Sequence, residues 1–381
     1  MSLLAQLSGL KVYFYDQKDK RFIRAVKEVG FEVRERTVVG LVGESGCGKT
    51  VTALSMMGLV DGEPGVIGGS FLFRTKQAHR RELEAELKRN RAKGCERDGL
   101  LDLFCGLDRF IGFAGKPFTV IKDMEKWLRH LNRTMEHIRG KSISMIFQNP
   151  VLSLNPFNTV GEQLTATIRR FNPVSGEEAW EQGVGLLRST LLYNPEEIMY
   201  LYPSQLSQGM AQRVVIAVAL CSDPRLLIAD EPTSGLDTTH RYRIIDLLES
   251  LTARLDLTLL LISHNIHIVG LIAHQVVVMY AGLVVETGGK REVIERKRGI
   301  KHPYTEALVA SIPTDADIRR GKRLGVIPGT VPNNKLVIQG CPFMERCPYS
   351  RGKIRERCRS VCPDLIEVSP GHFIRCYLYY P

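Results

Sequence analysis

Eight residues, Gly43-Glu44-Ser45-Gly46-Cys47-Gly48-Lys49-Thr50, carry the clearest chemical signal in the 381-residue chain. The pattern G-x-x-x-x-G-K-[ST] belongs to loops that bind phosphate. Glycine lets the backbone curl until its N–H groups point at an anion. A helix starting at the loop adds the positive end of its dipole. Lys49 can reach the outer phosphate oxygens, and the Thr50 hydroxyl can ligate Mg²⁺. Cys47 reads as filler, because backbone groups do the loop's work. The second signal is Leu226-Leu227-Ile228-Ala229-Asp230-Glu231. Four apolar residues spell a buried strand. Two carboxylates leave its C-terminal end, the edge at which open α/β sheets bind ligands. Asp230 would hold Mg²⁺ through water, and Glu231 would orient and deprotonate an attacking water.

These groups need a scaffold. Val38–Val42 reads as the strand that feeds the loop, and residues 50–60 as the helix it opens. Alternation at Val12/Phe14 and Phe31/Val33 predicts further strands within residues 10–43. A Gly/Pro-rich turn is expected over Gly62–Gly69, before a strand at Gly69–Phe73. Ile143–Phe147 and Leu257–Ile262 read as core strands, and residues 156–222 as mostly helical. Val276–Tyr280 and Val284–Thr287 should pair across Ala281-Gly282. Residues 75–137 change character. Arg80–Arg91 is a charged helical run, and Gly94–Lys116 is spotted with glycine and holds Cys95 and Cys105. Lys122–Ile138 is helical, with Trp127, Leu128, Leu131 and Met135 at helical spacing. This segment is expected to be an inserted, solvated, helical appendage.

A third segment, Leu206-Ser207-Gln208-Gly209-Met210, would alone be no more than a helix N-cap. Placed between the loop and the carboxylates, it resembles the signature loop of the ATP-binding subunits of ATP-binding-cassette (ABC) transporters. Gln208 and Met210 depart from the usual LSGGQ. Ser207 and Gly209 remain, and the resemblance implies that they contact ATP held by an opposite subunit. In the same order, Gln148 resembles the Q-loop glutamine, linking the Mg²⁺ site to a membrane partner. Ser234-Gly235-Leu236-Asp237 resembles the D-loop, and His264 the switch histidine at the γ-phosphate. Phe14, helped by Tyr15, resembles the aromatic that stacks on adenine. The implied fold is a RecA-like α/β P-loop core with an antiparallel β subdomain and a helical subdomain near 149–222. The cassette would occupy residues 1–287 and a C-terminal extension residues 288–381.

Ser142–Pro156 and Pro203–Val214 resemble the oligopeptide/dipeptide/nickel importer subfamily. So do His302-Pro303-Tyr304-Thr305, Ile327-Pro328-Gly329 and the Gly340-Cys341-Pro342-Phe343 and Arg346-Cys347-Pro348 stretches. The function implied is an ATPase that powers peptide import, with nickel or another small solute as the alternative cargo. Its implied partners are a second ATPase subunit (a copy or a paralogue), two transmembrane permease subunits and an extracytoplasmic solute-binding protein. It would sit peripherally on the cytoplasmic face of the membrane.

Five of the nine cysteines lie in the last 41 residues, at C-x₅-C-x₁₀-C-x₃-C-x₁₃-C. In a cytosolic chain such clustering favours a metal or iron–sulfur site over disulfides. The resemblance implies a [4Fe–4S] cluster on Cys341, Cys347, Cys358 and Cys376, with Cys362 able to replace Cys358. Zinc and free thiols are the alternatives.

The net charge of +11 invites a nucleic-acid or acidic-lipid partner. Its distribution argues otherwise. Residues 75–140 carry +5 and residues 286–381 carry +8, whereas the segments with the ATP motifs sum to −2. No nucleic-acid partner is expected; a soluble ABC ATPase acting on DNA or ribosomes is the lesser alternative, and a non-catalytic iron–sulfur sensor a further one. No apolar run reaches the length of a membrane span. The N-terminus lacks the basic start and cleavage site of a signal peptide.

Overall fold

The computed structural model describes residues 2–89, 94–114, 119–295, 299–312, 325, 327–335 and 337–380. Arg91 and Lys116, which close two of the expected segments, lie outside them. The chain opens with β1 (Leu3–Asp16), β2 (Arg21–Arg34), β3 (Val38–Val42) and β4 (Pro64–Phe73). β1 pairs antiparallel with β2 on one side and β4 on the other. β4 begins inside the stretch expected to be a turn. Gly65 and Gly69 have φ of 67° and 120°, and the β1–β4 register slips around Lys11. The glycines therefore kink a paired strand and do not end it.

The insertion holds two helices, Gln77–Arg89 and Met124–Glu136, around β5 (Glu96–Arg97), β6 (Leu100–Asp102), β7 (Ile111–Ala114) and β8 (Thr119–Lys122). It is neither wholly helical nor merely solvated. β6 pairs with the free edge of β4, and β7 and β8 make a separate hairpin. Leu83, Leu101, Leu103, Trp127, Leu131 and Met135 are buried and join the apolar cluster of β1 and β4. Trp127, Leu131 and Met135 recur every four residues, so they form one apolar stripe on a charged helix. Cys95 and Cys105 form a disulfide that closes the β5–β6 turn.

The central sheet is parallel. Its strands run β9 (Ile143–Ile146), β10 (Leu226–Asp230), β11 (Thr258–Ser263), β3 and β12 (Gln275–Tyr280). β10 and β11 are buried throughout, as strands covered on both faces must be. β13 (Leu283–Gly289) returns antiparallel to β12 and touches β2 where Leu283 meets Glu28. Helices between Pro150 and Leu220 form a lobe beside this sheet. Two of them, Val160–Phe171 and Gly176–Ser189, start with capping boxes, Thr159/Glu162 and Ser175/Glu178. One apolar cluster joins this lobe to one side of the sheet, and a second joins the opposite side to β1, β2, β4 and the insertion.

The extension docks on the same sheet. β14 (Ile366–Ser369) pairs with β15 (His372–Ile374), and β15 pairs with β13. Beneath this junction Glu286 is fully buried. It accepts from the His302 N–H at 2.8 Å and from His372 Nε2 at 2.9 Å. Burial pushes the His302 imidazole down to about 3, so it stays neutral and its Nδ1 accepts from the Tyr304 N–H. Among the described residues no helix is long and apolar enough to cross a membrane.

Candidate active site

Three parallel strands end at one edge. Ile262 pairs with Leu41, Ser263 with Val42, and Asp230 with Ile262. The loop after β3, the carboxylates ending β10 and the histidine after β11 therefore meet by construction. The loop curls as its glycines allow: Gly46 and Gly48 have φ of 80° and 102°. A Cβ on Gly48 would stand 2.5 Å from the Ala25 carbonyl oxygen, so no other residue fits. The helix Lys49–Met56 starts there. Cys47 is fully buried, its thiol pushed up by that burial, which suits a filler and not a nucleophile. Glu44 is half-buried, while Ser45 and Gly46 are exposed at the loop's crest.

Lys49 is 5% exposed and folds back over the loop, donating to the carbonyls of Gly43 at 2.8 Å and Glu44 at 3.2 Å. The Thr50 hydroxyl lies beside the Asp230 carboxylate. Asp230 is 1% exposed, and its Oδ1 is buried without any partner. Burial raises the Asp230 pKa, against the opposing pull of Thr50 and Lys49. An orphaned buried carboxylate oxygen beside a threonine hydroxyl is a donor set suited to a hard divalent cation.

Glu231 is the next residue, and its backbone is left-handed, with φ 50°. Such a conformation is costly for a non-glycine residue and persists only where neighbours enforce it. Two do. The Glu231 N–H donates to the Ile262 carbonyl at 3.0 Å, and the carboxylate meets His264 Nδ1 at 2.6 Å. The carboxylate can only accept, so Nδ1 carries the proton. The Glu231 side chain is 12% exposed and His264 59%, so the pair faces outward from a dry base. Gln148 lies two residues beyond Ile146, which pairs with Ala229, and is exposed on the same edge.

The other expected residues lie elsewhere. Ser207 caps the helix Gln208–Leu220, its hydroxyl accepting from the Met210 N–H at 3.2 Å. Gly235 packs against the Gln208 side chain, and Gly209 against His240. Asp237 caps Thr238–Arg254 and binds the His240 ring at 2.6 Å. Ser207, Gly209 and Asp237 thus gather around Gln208 and His240. Phe14, half-buried on β1, pairs with Ile23 and Pro64 and faces Gly62.

The structure also places extension residues on the loop that the sequence had given no role. Tyr304, Asn334 and Arg346 bond Glu44 and Gly46. Tyr304 and Arg346 lie within recognisable motifs, but nothing in the sequence names their partners.

Similarity accounts for this arrangement. The ABC transporter family model matches residues 26–94 and 119–234, and the model for the oligopeptide/dipeptide transporter C-terminal region matches residues 285–353. The oligopeptide transport ATP-binding protein AppD of Bacillus subtilis is 35% identical, covering 100% of this chain and 98% of its own length. The chain belongs to the ABC transporter ATP-binding subunits. It is therefore an ATPase coupled to transport. The dipeptide transport ATP-binding protein DppD of Escherichia coli is 34% identical, over 98% of this chain and 96% of its own. A probable peptide ABC transporter ATP-binding protein of Sinorhizobium fredii is 35% identical, over 98% and 95%. The fold matches the dimeric ATP-binding cassette MJ0796 bound to ADP and phosphate. That match has TM-score 0.54 and 21% identity over 78% of this chain and all of that one. The ABC model leaves residues 95–118 unmatched, and that stretch contains the disulfide.

The tail cysteines do not form the expected site as placed. Among the described residues no group of three or more His, Cys, Asp or Glu side chains could hold a metal ion. The Cys341 N–H donates to the Cys358 carbonyl at 2.7 Å, and the Cys341 side chain beside Cys358 holds the Cys358 thiol down to about 7. Cys362 turns toward Arg375 and Lys27.

Proposed function

We propose that this ATPase powers the import of peptides as the nucleotide-binding subunit of a multi-subunit ABC transporter. The observation that carries the chemistry is the Thr50–Asp230 contact with its orphaned oxygen, set beside the Glu231–His264 pair. The C-terminal region of oligopeptide/dipeptide type and the full-length likeness to peptide transport subunits support the cargo.

In this reading residues 1–287 are the cassette and 288–381 the extension. Phe14 stacks on adenine, and Gly43–Thr50 hold the phosphates. Thr50, Asp230 and Gln148 would hold Mg²⁺, which supplies charge neutralisation at the transferred phosphate. Glu231 takes a proton from water while His264 keeps the carboxylate aimed. Ser207 and Gly209 serve the site of a second ATPase subunit across a dimer, with Asp237 at the junction.

Permease docking has its own support. Leu152, Phe157, Tyr193 and Tyr200 in the helical lobe are 82%, 86%, 92% and 69% exposed. Large apolar side chains exposed in this number across the helical lobe support an interaction surface there. Membrane association is then peripheral, through the permeases. The test is reconstitution with two permease subunits and a solute-binding protein. ATP hydrolysis should rise with peptide-loaded binding protein. A rise with nickel alone, or with DNA, would reject the peptide assignment.

A second proposal concerns Cys341, Cys347, Cys358 and Cys376 as ligands of a [4Fe–4S] cluster, or of zinc. Its support is the clustering of five cysteines in the last 41 residues and the Cys341 N–H bond to the Cys358 carbonyl at 2.7 Å, which sets these two side by side. Cys362, held at Arg375, is then the spare thiol. Anaerobic purification followed by iron, sulfide and zinc analysis checks it. A colourless, metal-free protein would refute it.

A further inference from the structure

The extension grips the phosphate loop at separate points. The Glu44 N–H donates to the Tyr304 hydroxyl at 2.9 Å. Arg346 holds both oxygens of the Glu44 carboxylate, at 2.7 and 3.0 Å. Asn334 reaches furthest, to the exposed crest, where its Nδ2 donates to the Gly46 carbonyl at 3.2 Å.

Asn334 is anchored on a second side as well. Its carbonyl accepts from the Arg24 N–H at 3.1 Å. The next residue, Lys335, bonds Asp16 at 2.6 Å and Asp19 at 2.5 Å, where β1 turns into β2. Arg24 stands opposite Tyr13, the neighbour of Phe14. Asn334 therefore bridges the loop that takes phosphates and the hairpin that carries the aromatic assigned to the base. The part of a nucleotide that spans those two is the ribose.

The orientation of the amide follows from chemistry. The Gly46 carbonyl can only accept, so the Asn334 NH₂ must face it and Oδ1 must face away. That oxygen is buried and has no hydrogen-bond partner. A buried acceptor without a donor is unfavourable unless something else completes it. A ribose hydroxyl is such a donor.

We propose that Asn334 is a nucleotide-positioning residue supplied by the extension, its Oδ1 accepting a hydrogen bond from a ribose hydroxyl of the bound nucleotide. The proposal rests on the assignment of Phe14 and Gly43–Thr50 as the nucleotide site. The ribose is remote from the bond that breaks, so the contact is equal in ground and transition states. It governs affinity and not turnover.

The test is equilibrium binding of Mg²⁺–ATP, 2′-deoxy-ATP and 3′-deoxy-ATP to the full chain, with ATP hydrolysis measured in the assembled transporter. The wild-type chain should bind ATP about ten-fold tighter than one of the deoxy analogues, one net hydrogen bond. Asn334→Ala should lose that discrimination and bind ATP about ten-fold more weakly. Its KM should rise in step while kcat stays within about two-fold. Equal wild-type affinity for all three nucleotides would overturn the proposal. So would discrimination that survives in Asn334→Ala. Phe14→Ala separates the two layers. Weakened binding in Phe14→Ala with an unaffected Asn334→Ala defeats only the role of Asn334. Unaffected binding in Phe14→Ala defeats the base-site assignment itself.

Discussion

Among the described residues of the extension, Arg346 makes the most bonds to the phosphate loop, and replacing it with alanine removes both of its bonds to Glu44. Its side chain is 6% exposed. Besides Glu44, it donates to the Pro328 carbonyl at 2.7 Å and the Tyr280 hydroxyl at 3.1 Å. Its guanidinium also lies 5.7 Å from the Tyr280 ring centre and 6.0 Å from that of Phe343. Breaking a buried pair by deleting one partner costs about 3–5 kcal/mol. Glu44 is 29% exposed, so water recovers part of its loss, and the expected cost falls to about 2–3 kcal/mol. At about 2–4 °C per kcal/mol for a chain above 150 residues, Tm should drop by about 4–12 °C. KM for ATP should rise, because Glu44 no longer anchors the loop. Arg346→Lys should recover less than half of the loss, since an ammonium cannot fork across a carboxylate. The decisive assay is a double-mutant cycle with Glu44→Ala, read by chemical denaturation. The expected coupling is about 1.5–2.5 kcal/mol. Strict additivity of the two single changes would refute the grip of the extension on the loop.

Glu231→Gln keeps an oxygen that can accept from His264 but loses the base. ATP binding should persist while turnover by the assembled transporter falls about 10²–10⁴-fold, and near-normal hydrolysis would sink the assignment. Lys122 donates to the carbonyls of Pro64 at 2.6 Å and Val66 at 2.8 Å, and burial pushes it down to about 7. The unfolded lysine titrates near 10.4, so between about pH 7 and 10 the unfolded chain binds the extra proton and stability rises with pH. Relative to Lys122→Met, wild-type stability should climb across that window by at most about 1.4 kcal/mol per pH unit, and parallel curves would contradict it. Cys95 and Cys105 are separated by 10 residues. Cys105→Ser should cost about 2–3 kcal/mol, measured as a shift in denaturation midpoint that added reductant reproduces in the wild type. Identical midpoints would show that the cross-link adds nothing.

Much of the site was legible because its signals are local. The Gly43–Thr50 loop and the Asp230–Glu231 corner each follow a continuous apolar run, and such runs name buried parallel strands directly. Gly65 and Gly69 misled because a kinked strand and a turn use the same residue. The strands within the insertion are two to four residues long, too short to show a period, so the charged helices around them dominated its reading. The grip on Glu44 left no trace at all. Tyr304 and Arg346 stand 260 and 302 residues from it, and no spacing rule connects them.

That separation also sets an order in time. The ribosome completes the phosphate loop at residue 50 and delivers Arg346 nearly 300 residues later. At about 5–20 residues per second this is a lag of about 15–60 s. Through that interval the growing polypeptide carries a finished nucleotide motif whose anchors arrive one by one, Tyr304 on the Glu44 N–H, then Asn334 on Gly46 and last Arg346 on the Glu44 carboxylate. Messages cut short just before residue 334 yield chains that keep Gly43–Thr50, Asp230, Glu231 and His264 yet lack Asn334 on Gly46 and Arg346 on Glu44. If Asn334 holds the ribose as proposed, full nucleotide affinity arrives only after residue 334 has been made.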